Sequence, residues 1–417
     1  MNTYKTLKDY QFIPDKDAFE KAKDFQEFIN QMDYEKSKCY GIISNNGTGA
    51  YMKVDDIYSK KKIETISFVG NDYLGLSKHP DTIQAGIDAV KKYGTGSCAS
   101  PIIGGYLDIH SHLESKIATS FNFEDAIIYS SGYAANCSSI AALLTKKDIA
   151  LVDMFVHSSV YDGLHQTNFK ILPHNNIEYL NKVLSNYKDK YLTKLVIIDG
   201  IYSQDGDIAP VNEILEVCHK NGAYLMVDDA HGIGVYGKNG KGTLEHFDLL
   251  GEVDILTGKF SKSYGSVGGF VTANEKVIQY LRYYSRFSTF SAAPTPQATA
   301  SVTKAIDIIQ NDKDRRKRLW DNVNYLQKEL KRQKFDIGMT ESPITPIMIR
   351  NDQKAQKAAR MLIEKGIYVI PIIYPGVKKN DSRLRVTVTA EHEKKDLKYF
   401  IKTLIDIDNT LSIRKMN

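Results

Sequence analysis

Cysteine is scarce in this chain, and the few present lie far apart. Cys39, Cys98, Cys137 and Cys218 form no CxxC pair, which excludes the usual zinc spacing and a disulfide framework and points to a reducing compartment. Long apolar runs are missing too: nowhere do about eighteen uninterrupted apolar residues occur, so no transmembrane segment is expected. The opening, Met1 to Phe12, is polar and lacks the apolar stretch of a secretory signal. A cytoplasmic location is expected, with peripheral membrane contact left open. Charge of one sign is not in excess, since 55 Lys+Arg stand against 50 Asp+Glu. The densest basic stretch, Lys313 to Arg318, is interrupted by Asp314 and leads into a helical pattern. It reads as a solvated helix face, and no nucleic-acid partner is expected. Internal repeats and low-complexity tracts are also lacking.

What remains is the composition of a soluble globular protein, 42% hydrophobic and 25% charged. At 417 residues the chain exceeds the length at which a single core stops growing, so two or more lobes are expected. Residues 1–60 read as a polar N-terminal arm with one helical stretch, Asp17 to Met32, laid on something else such as a partner subunit. Residues 61–300 read as a large domain. Within it, Thr82 to Lys92 places Ile83, Ile87 and Val90 on one helical face, with Gly94 as C-cap. Four runs look like buried strands: Ala150–Val156, Leu195–Asp199, Tyr224–Asp228 and Asp254–Thr257. Between the second and third lies a helix, Val211 to Lys220, with Ile214, Val217 and Cys218 on one face and Gly222 as its stop. Such spacing predicts right-handed crossovers and a mostly parallel sheet, an α/β architecture. After Pro296 a long helical pattern runs to about Arg332, and residues 301–417 read as a smaller C-terminal α+β domain, with Arg360–Lys365 helical and Arg383–Thr389 a strand.

Parallel sheets bind ligands at the carboxyl ends of their strands. Polar residues there carry most weight: Asp199, Asp228 and the segment after Thr257. One segment, Tyr224 to Gly232, is a strand ending in two carboxylates and a histidine. Another, Gly258 to Gly265, holds Lys262 in a Ser- and Gly-rich turn. A third, Tyr129 to Asn136, breaks at Gly132 into an Ala-rich helix start. Singly these read as a surface lysine, a metal site or helix cap, and an N-cap. Together, in this order, they supply the parts of a pyridoxal 5'-phosphate (PLP) site. Lys262 would form the imine. A carboxylate would face the pyridine nitrogen and keep it protonated. Backbone N–H groups of Ser131, Gly132 and Tyr133 would receive the phosphate.

The chain resembles the α-oxoamine synthase family of fold-type I PLP enzymes over roughly residues 65 to 395. The resemblance rests on Asn71-Asp-Tyr-Leu-Gly-Leu76, the Gly94-Thr-Gly-Ser97 turn, His110-Ser-His-Leu-Glu114, Ser130 to Asn136, His157-Ser-Ser159, Val227 to His231, Phe260-Ser-Lys-Ser263, and Arg383-Leu-Arg385 leading into Ala390-Glu-His392. It implies an aspartate aminotransferase-like fold and a homodimer. By residue, it implies Lys262 as Schiff-base lysine and acid/base at the substrate Cα, Asp228 on the pyridinium nitrogen, His231 on the ring's phenolic oxygen and His157 stacked on the ring. Ser203 is either a further contact of that oxygen or a turn serine. Asn71 and Arg385 would bind the amino-acid carboxylate; Arg383, two residues away on a strand, shares a face with Arg385, so geometry leaves the two open. The implied reaction is a decarboxylative Claisen condensation of a small amino acid with an acyl-CoA or acyl-carrier thioester, giving an α-aminoketone.

Two positions depart from the family pattern. Lys259 stands where many members carry threonine, a second cation able to meet the phosphate, and Ser100-Pro101 stands where an arginine is common. Within the family, Gly105 to His110, the Phe-Ser-Lys-Ser run and Phe290 to Ala293 favour a serine palmitoyltransferase-like, long-chain acyl branch. An 8-amino-7-oxononanoate synthase-like or glycine C-acetyltransferase-like activity stays open. A non-catalytic scaffold subunit and an aminotransferase or lyase are the readings from other classes. Gly232 to Gly237 matches GxGxxG, but a loop follows where a dinucleotide site needs a helix.

Overall fold

The structure is a computed structural model and describes residues 5–11 and 13–414. Of the polar opening segment, residues 1–4 and 12 lie outside the described part. The chain divides into two compact units: residues 1–70, 204–206 and 319–417, and residues 71–203 and 207–318.

In the first unit, β1 (Tyr51–Asp55) pairs antiparallel with β2 (Lys62–Ser67). The second unit is built on a seven-stranded sheet. Its strands are β3 (Asp125–Tyr129), β4 (Ile149–Asp153), β5 (Asn168–Leu172), β6 (Lys194–Asp199), β7 (Tyr224–Asp228), β8 (Ile255–Lys259) and β9 (Gly269–Ala273). They lie in the order β3-β9-β8-β7-β6-β4-β5, with only β9 antiparallel to its neighbours. β4, β6 and β8 are buried along their whole length, as strands covered on both faces must be. The four strands expected from the sequence are therefore adjacent and parallel, and the α/β class holds.

Boundaries shift where side chains or distant partners decide them. The run Ala150–Val156 stops as a strand at Asp153, because the Asp153 carboxylate accepts the Phe155 N–H at 2.8 Å and turns the chain. β8 extends past Thr257 to Lys259, because Gly258 and Lys259 find partners in β9, Phe270 and Gly269. The expected helix over 82–92 is seen as Pro80–Tyr93, ending at Gly94 with φ +80°. Its buried face is not the predicted one: Ile83 and Ile87 are exposed, while Thr82, Gly86 and Ala89 are buried. Small residues win that face because the helix Pro296–Asn311 comes so close that a Cβ on Gly86 would stand 2.9 Å from Ser301 Oγ. The long pattern after Pro296 is two helices, Pro296–Asn311 and Lys313–Arg332. They part at Asp312, whose carboxylate caps the Arg315 N–H at 2.9 Å.

The first unit is completed by β10 (Ile344–Met348), β11 (Ile367–Tyr368), β12 (Ile370–Ile372) and β13 (Arg383–Thr387). β11 adds parallel to β2, and β13 lies between β10 and β12. The described residues of the segment expected as an arm, residues 1–60, gather here with the described residues from 319 onward. Asp56 is ion-paired with Arg360, and Cys39 Sγ lies 3.8 Å from the Gln356 carbonyl. The helix Ala18–Tyr34 opens with a capping box between Asp17 and Glu20.

Candidate active site

The carboxyl edge of the large sheet collects ionisable groups. β6 and β7 end side by side, with Asp199 opposite Asp228 in the register, and β8 brings Thr257 beside Asp228. Asp228 is held from several directions. Asn136 donates to its Oδ2 at 2.6 Å, and the Ala230 N–H reaches its Oδ1 at 3.1 Å. The Asn136 carbonyl oxygen in turn accepts from Thr257 at 2.8 Å. Lys259, at the end of β8, places Nζ 2.9 Å from Asp228 Oδ2. Burial works to raise the Asp228 carboxyl, but the Lys259 ammonium, then His157 and the Asn136 hydrogen bond, hold it below the usual range. Asp199 goes the other way: burial and the Asp228 charge push its carboxyl well above the usual range, with Lys259 opposing.

His157 caps the short helix Ser158–Gly163, and its Nδ1 accepts the Ser159 N–H at 3.2 Å. Burial, followed by the charge of Lys259 and with Lys262 adding to it, brings the imidazole down to about 4 against the pull of Asp228. Near neutral pH the ring is therefore uncharged, an apolar face suited to stacking. Tyr133 stands edge-on to it, with ring centroids 6.0 Å apart, and its hydroxyl donates to Asp162. Ser131 is the N-cap of the helix Gly132–Leu143, accepting the Ala134 N–H at 3.0 Å. The first-turn N–H groups that follow have no intrahelical acceptor and make an anion-ready end.

Lys262 lies half-buried in the turn between β8 and β9, where its carbonyl accepts the Gly265 N–H at 2.9 Å and Phe260 is tied to Gly268. His231 follows β7, and its Nδ1 lies 2.6 Å from the Tyr73 hydroxyl. That hydroxyl is 3.4 Å from Asn71 Oδ1, so Asn71, Tyr73 and His231 form one chain of polar contacts. Ser203 is half-buried in the turn after Tyr202. A further cluster joins strand ends: His174 lies 3.0 Å from Asp153 and 2.8 Å from Asp207. Burial works to lower its pKa, but the two carboxylates push it up to about 9.

The two arginines belong to the other unit. Arg383 is fully committed: Nη1 meets Asp205 and Nη2 meets Asp381, each at 2.6 Å, and Nε meets the Asp381 carbonyl. Arg385 donates to Thr387 Oγ1 at 2.9 Å.

A cavity of about 480 Å³ in the sheet unit involves none of these groups. It is lined by Tyr106, His110, Glu114 and Arg282, among others, and Glu114 is already paired with Arg282 and Tyr106.

The residues present fit PLP. A buried carboxylate kept ionised suits a pyridinium. Gly132 gives a backbone without side chain at the helix start, where an added Cβ would fall 2.2 Å from Lys259 Cγ. Missed by the sequence reading as site residues were Asn136, Thr257 and Tyr73, although Asn136 and Tyr73 lie inside the quoted motifs.

The Aminotransferase class I and II family matches residues 63–404. The 8-amino-7-oxononanoate synthase of Thermoanaerobacter pseudethanolicus is 40% identical over 84% of this chain and 89% of its own length. The serine palmitoyltransferase of Bacteroides ovatus is 37% identical over the same shares, 84% and 89%. Among solved structures, SPT with PLP superposes with a TM-score of 0.90 at 29% identity, covering 95% of this chain and all (100%) of that one. The 8-amino-7-oxononanoate synthase of Francisella tularensis gives 0.71 at 25% identity, covering 84% and 99%.

Proposed function

The chain belongs to the α-oxoamine synthase family of fold-type I PLP enzymes, and from that premise we propose that it joins a small amino acid, L-serine first, to a long-chain acyl thioester. The coarser reaction is that of the family: an amino acid and an acyl thioester condense to an α-oxoamine. The observation that carries the long-chain reading is the likeness of the backbone to SPT, 0.90 against 0.71 for the oxononanoate synthase. A second reading has its own support, since the 40% identity to an 8-amino-7-oxononanoate synthase exceeds the 37% to a serine palmitoyltransferase. A scaffold role is not favoured, because Lys262, Asp228 and His231 are all present.

When bound, PLP supplies the electron sink for the charge formed at the substrate Cα. The chain's own residues do the rest. Lys262 anchors the cofactor and moves the Cα proton. Asp228, held in place by Asn136 and the Ala230 N–H, would keep the ring nitrogen protonated. Neutral His157 covers a ring face, and His231, steadied by Tyr73, meets the ring oxygen, with Ser203 as a second contact. Ser131, Gly132 and Tyr133 receive the phosphate at the helix start. The substrate carboxylate is assigned to Asn71 and Arg385. Arg383 is left out of that role because Asp205 and Asp381 already occupy its guanidinium.

The proposal includes a homodimer, supported by the exposure of Ile103 at 75% and Phe290 at 84%, and a cytoplasmic setting, supported by four unpaired cysteines. Its test is thiol release from palmitoyl-CoA with L-serine against pimeloyl-CoA with L-alanine. Faster release from the pimeloyl pair would replace the long-chain reading with the second one. Lys262→Ala should abolish release with either pair, and borohydride followed by peptide mapping should mark Lys262 in the parent enzyme.

A further inference from the structure

Lys259 is the residue the chemistry above does not account for. Its stem leaves the end of β8 and runs against the first residue of the helix Gly132–Leu143, so closely that a Cβ on Gly132 would overlap Cγ, Cδ and Cβ of Lys259, at 2.2, 2.8 and 2.9 Å. Its ammonium then ends 2.9 Å from Asp228 Oδ2. One side chain thus spans from the phosphate-ready helix start to the carboxylate that serves the ring nitrogen. Lysine and carboxylate are both buried, at 7% and 1% side-chain exposure, so neither charge has water to fall back on.

We propose that Lys259 is a displaceable counter-ion: it holds Asp228 in the cofactor-free chain, and the cofactor's ring nitrogen must evict it to bind. This rests on the assignment of Asp228 to the ring nitrogen. Asp228 Oδ2 already takes Asn136 at 2.6 Å and Lys259 at 2.9 Å, while Oδ1 takes the Ala230 N–H. A pyridinium N–H arriving at Oδ2 brings a second cation to one carboxylate in a dry site, and Lys259 is the partner with a flexible stem able to leave. The protein with Lys259 seated is then a state that cannot bind the cofactor. A ligand's apparent affinity falls by the fraction of chains in the competent state, so a ten-to-one preference for the seated state costs about tenfold. A threonine at this position would be too short to reach the carboxylate and would impose no such competition.

The test uses the full chain stripped of cofactor with hydroxylamine, and pyridoxal as probe, because pyridoxal lacks the phosphate that the evicted ammonium could otherwise meet. Lys259→Met, which keeps the stem and removes the charge, should bind pyridoxal about tenfold more tightly than the parent. The same substitution should lower the melting temperature of the cofactor-free form more than that of the PLP-loaded form, and Asp228→Asn added to it should restore part of the loss. Lys259→Thr repeats both measurements should the methionine variant fail to fold. Both results are required. Unchanged or weaker pyridoxal affinity, or equal losses in the two forms, overturns the proposal. Failure of the underlying assignment looks different: adding Asp228→Asn to Lys259→Met would then leave pyridoxal affinity unchanged.

Discussion

The Asp228 carboxylate is oriented by Asn136. Asn136 is wholly buried and bridges two strand ends, donating to Asp228 at 2.6 Å and accepting from Thr257 at 2.8 Å. Asn136→Leu removes these two bonds and the 3.0 Å one to Ser159 Oγ, and leaves the Thr257 hydroxyl without its acceptor. A stability loss of about 1–3 kcal/mol is expected from the orphaned group, together with faster loss of PLP on dialysis. Asn136→Leu with Thr257→Val removes the orphan and should recover stability but not cofactor retention. Urea unfolding and PLP absorbance during dialysis check the two halves separately, and recovery of both would sink the aiming role. These residues also mark what the sequence could convey. Lys262, Asp228, His231 and His157 stand out in the sequence because each sits beside other chemistry-bearing residues in a short segment. The partnership of Asn136 with Asp228 spans 92 positions and that of Tyr73 with His231 spans 158, and no local pattern announces either. Lys259 was visible as a departure, but its approach to Asp228 depends on strand register.

Elements were legible where period and punctuation agreed. The buried strands read from apolar runs are β4, β6, β7 and β8, and the helix Val211–Lys220 has the predicted bounds. In the helix Pro80–Tyr93 hydrophobicity points the wrong way: its larger apolar residues, Ile83 and Ile87, mark the predicted inward face, yet close packing against Pro296–Asn311 selects Gly86 and Ala89. Hydrophobicity alone ranks isoleucine above glycine; interhelical distance reverses the order. Gly86→Val should therefore cost more than Ile83→Thr, since the added atoms meet Ser301 Oγ and the Gln297 carbonyl at 2.9 and 3.5 Å. Overpacking of this kind costs about 1–3 kcal/mol, whereas an exposed substitution stays within about 0.5 kcal/mol. Thermal melts of the two variants decide the matter, and an Ile83→Thr loss equal to that of Gly86→Val would return the buried face to the isoleucines.

At the scale of the whole molecule, the grouping of residues 1–70 with 319–417 was not legible, because it is made by pairings such as Ile66 with Ile367 that only the fold creates. The sheet unit carries a half-buried histidine and the other unit a buried one, with opposing titrations, and both bear on how stability follows pH. In the sheet unit, Asp153 and Asp207 raise His174 from an ordinary value of 6.5 to about 9. A raised pKa means the folded chain keeps a proton the unfolded chain gives up, so this contribution is full below about pH 6.5 and is lost as pH climbs through 9. In the other unit, His392 is buried, stacked on Phe68 with ring centroids 4.5 Å apart, and bonded to the Ser67 carbonyl at 3.0 Å. Burial lowers it to about 4. Here the unfolded chain takes the proton first, so the contribution is full above about 6.5 and lost as pH falls toward 4. Either limb can reach about 1.4 kcal/mol per pH unit, and the alkaline one should be shallower because water screens the partly exposed His174 cluster. Urea unfolding of the cofactor-free chain from pH 4 to 9.5 should show these two limbs over the slopes set by other buried groups, among them Asp229, raised by burial to about 8, and His157, lowered to about 4. His174→Asn should flatten the alkaline side alone, and His392→Asn the acid side alone. A profile left unchanged by both variants would mean that other groups set the limits, and that neither histidine differs in proton affinity between the folded and unfolded chain.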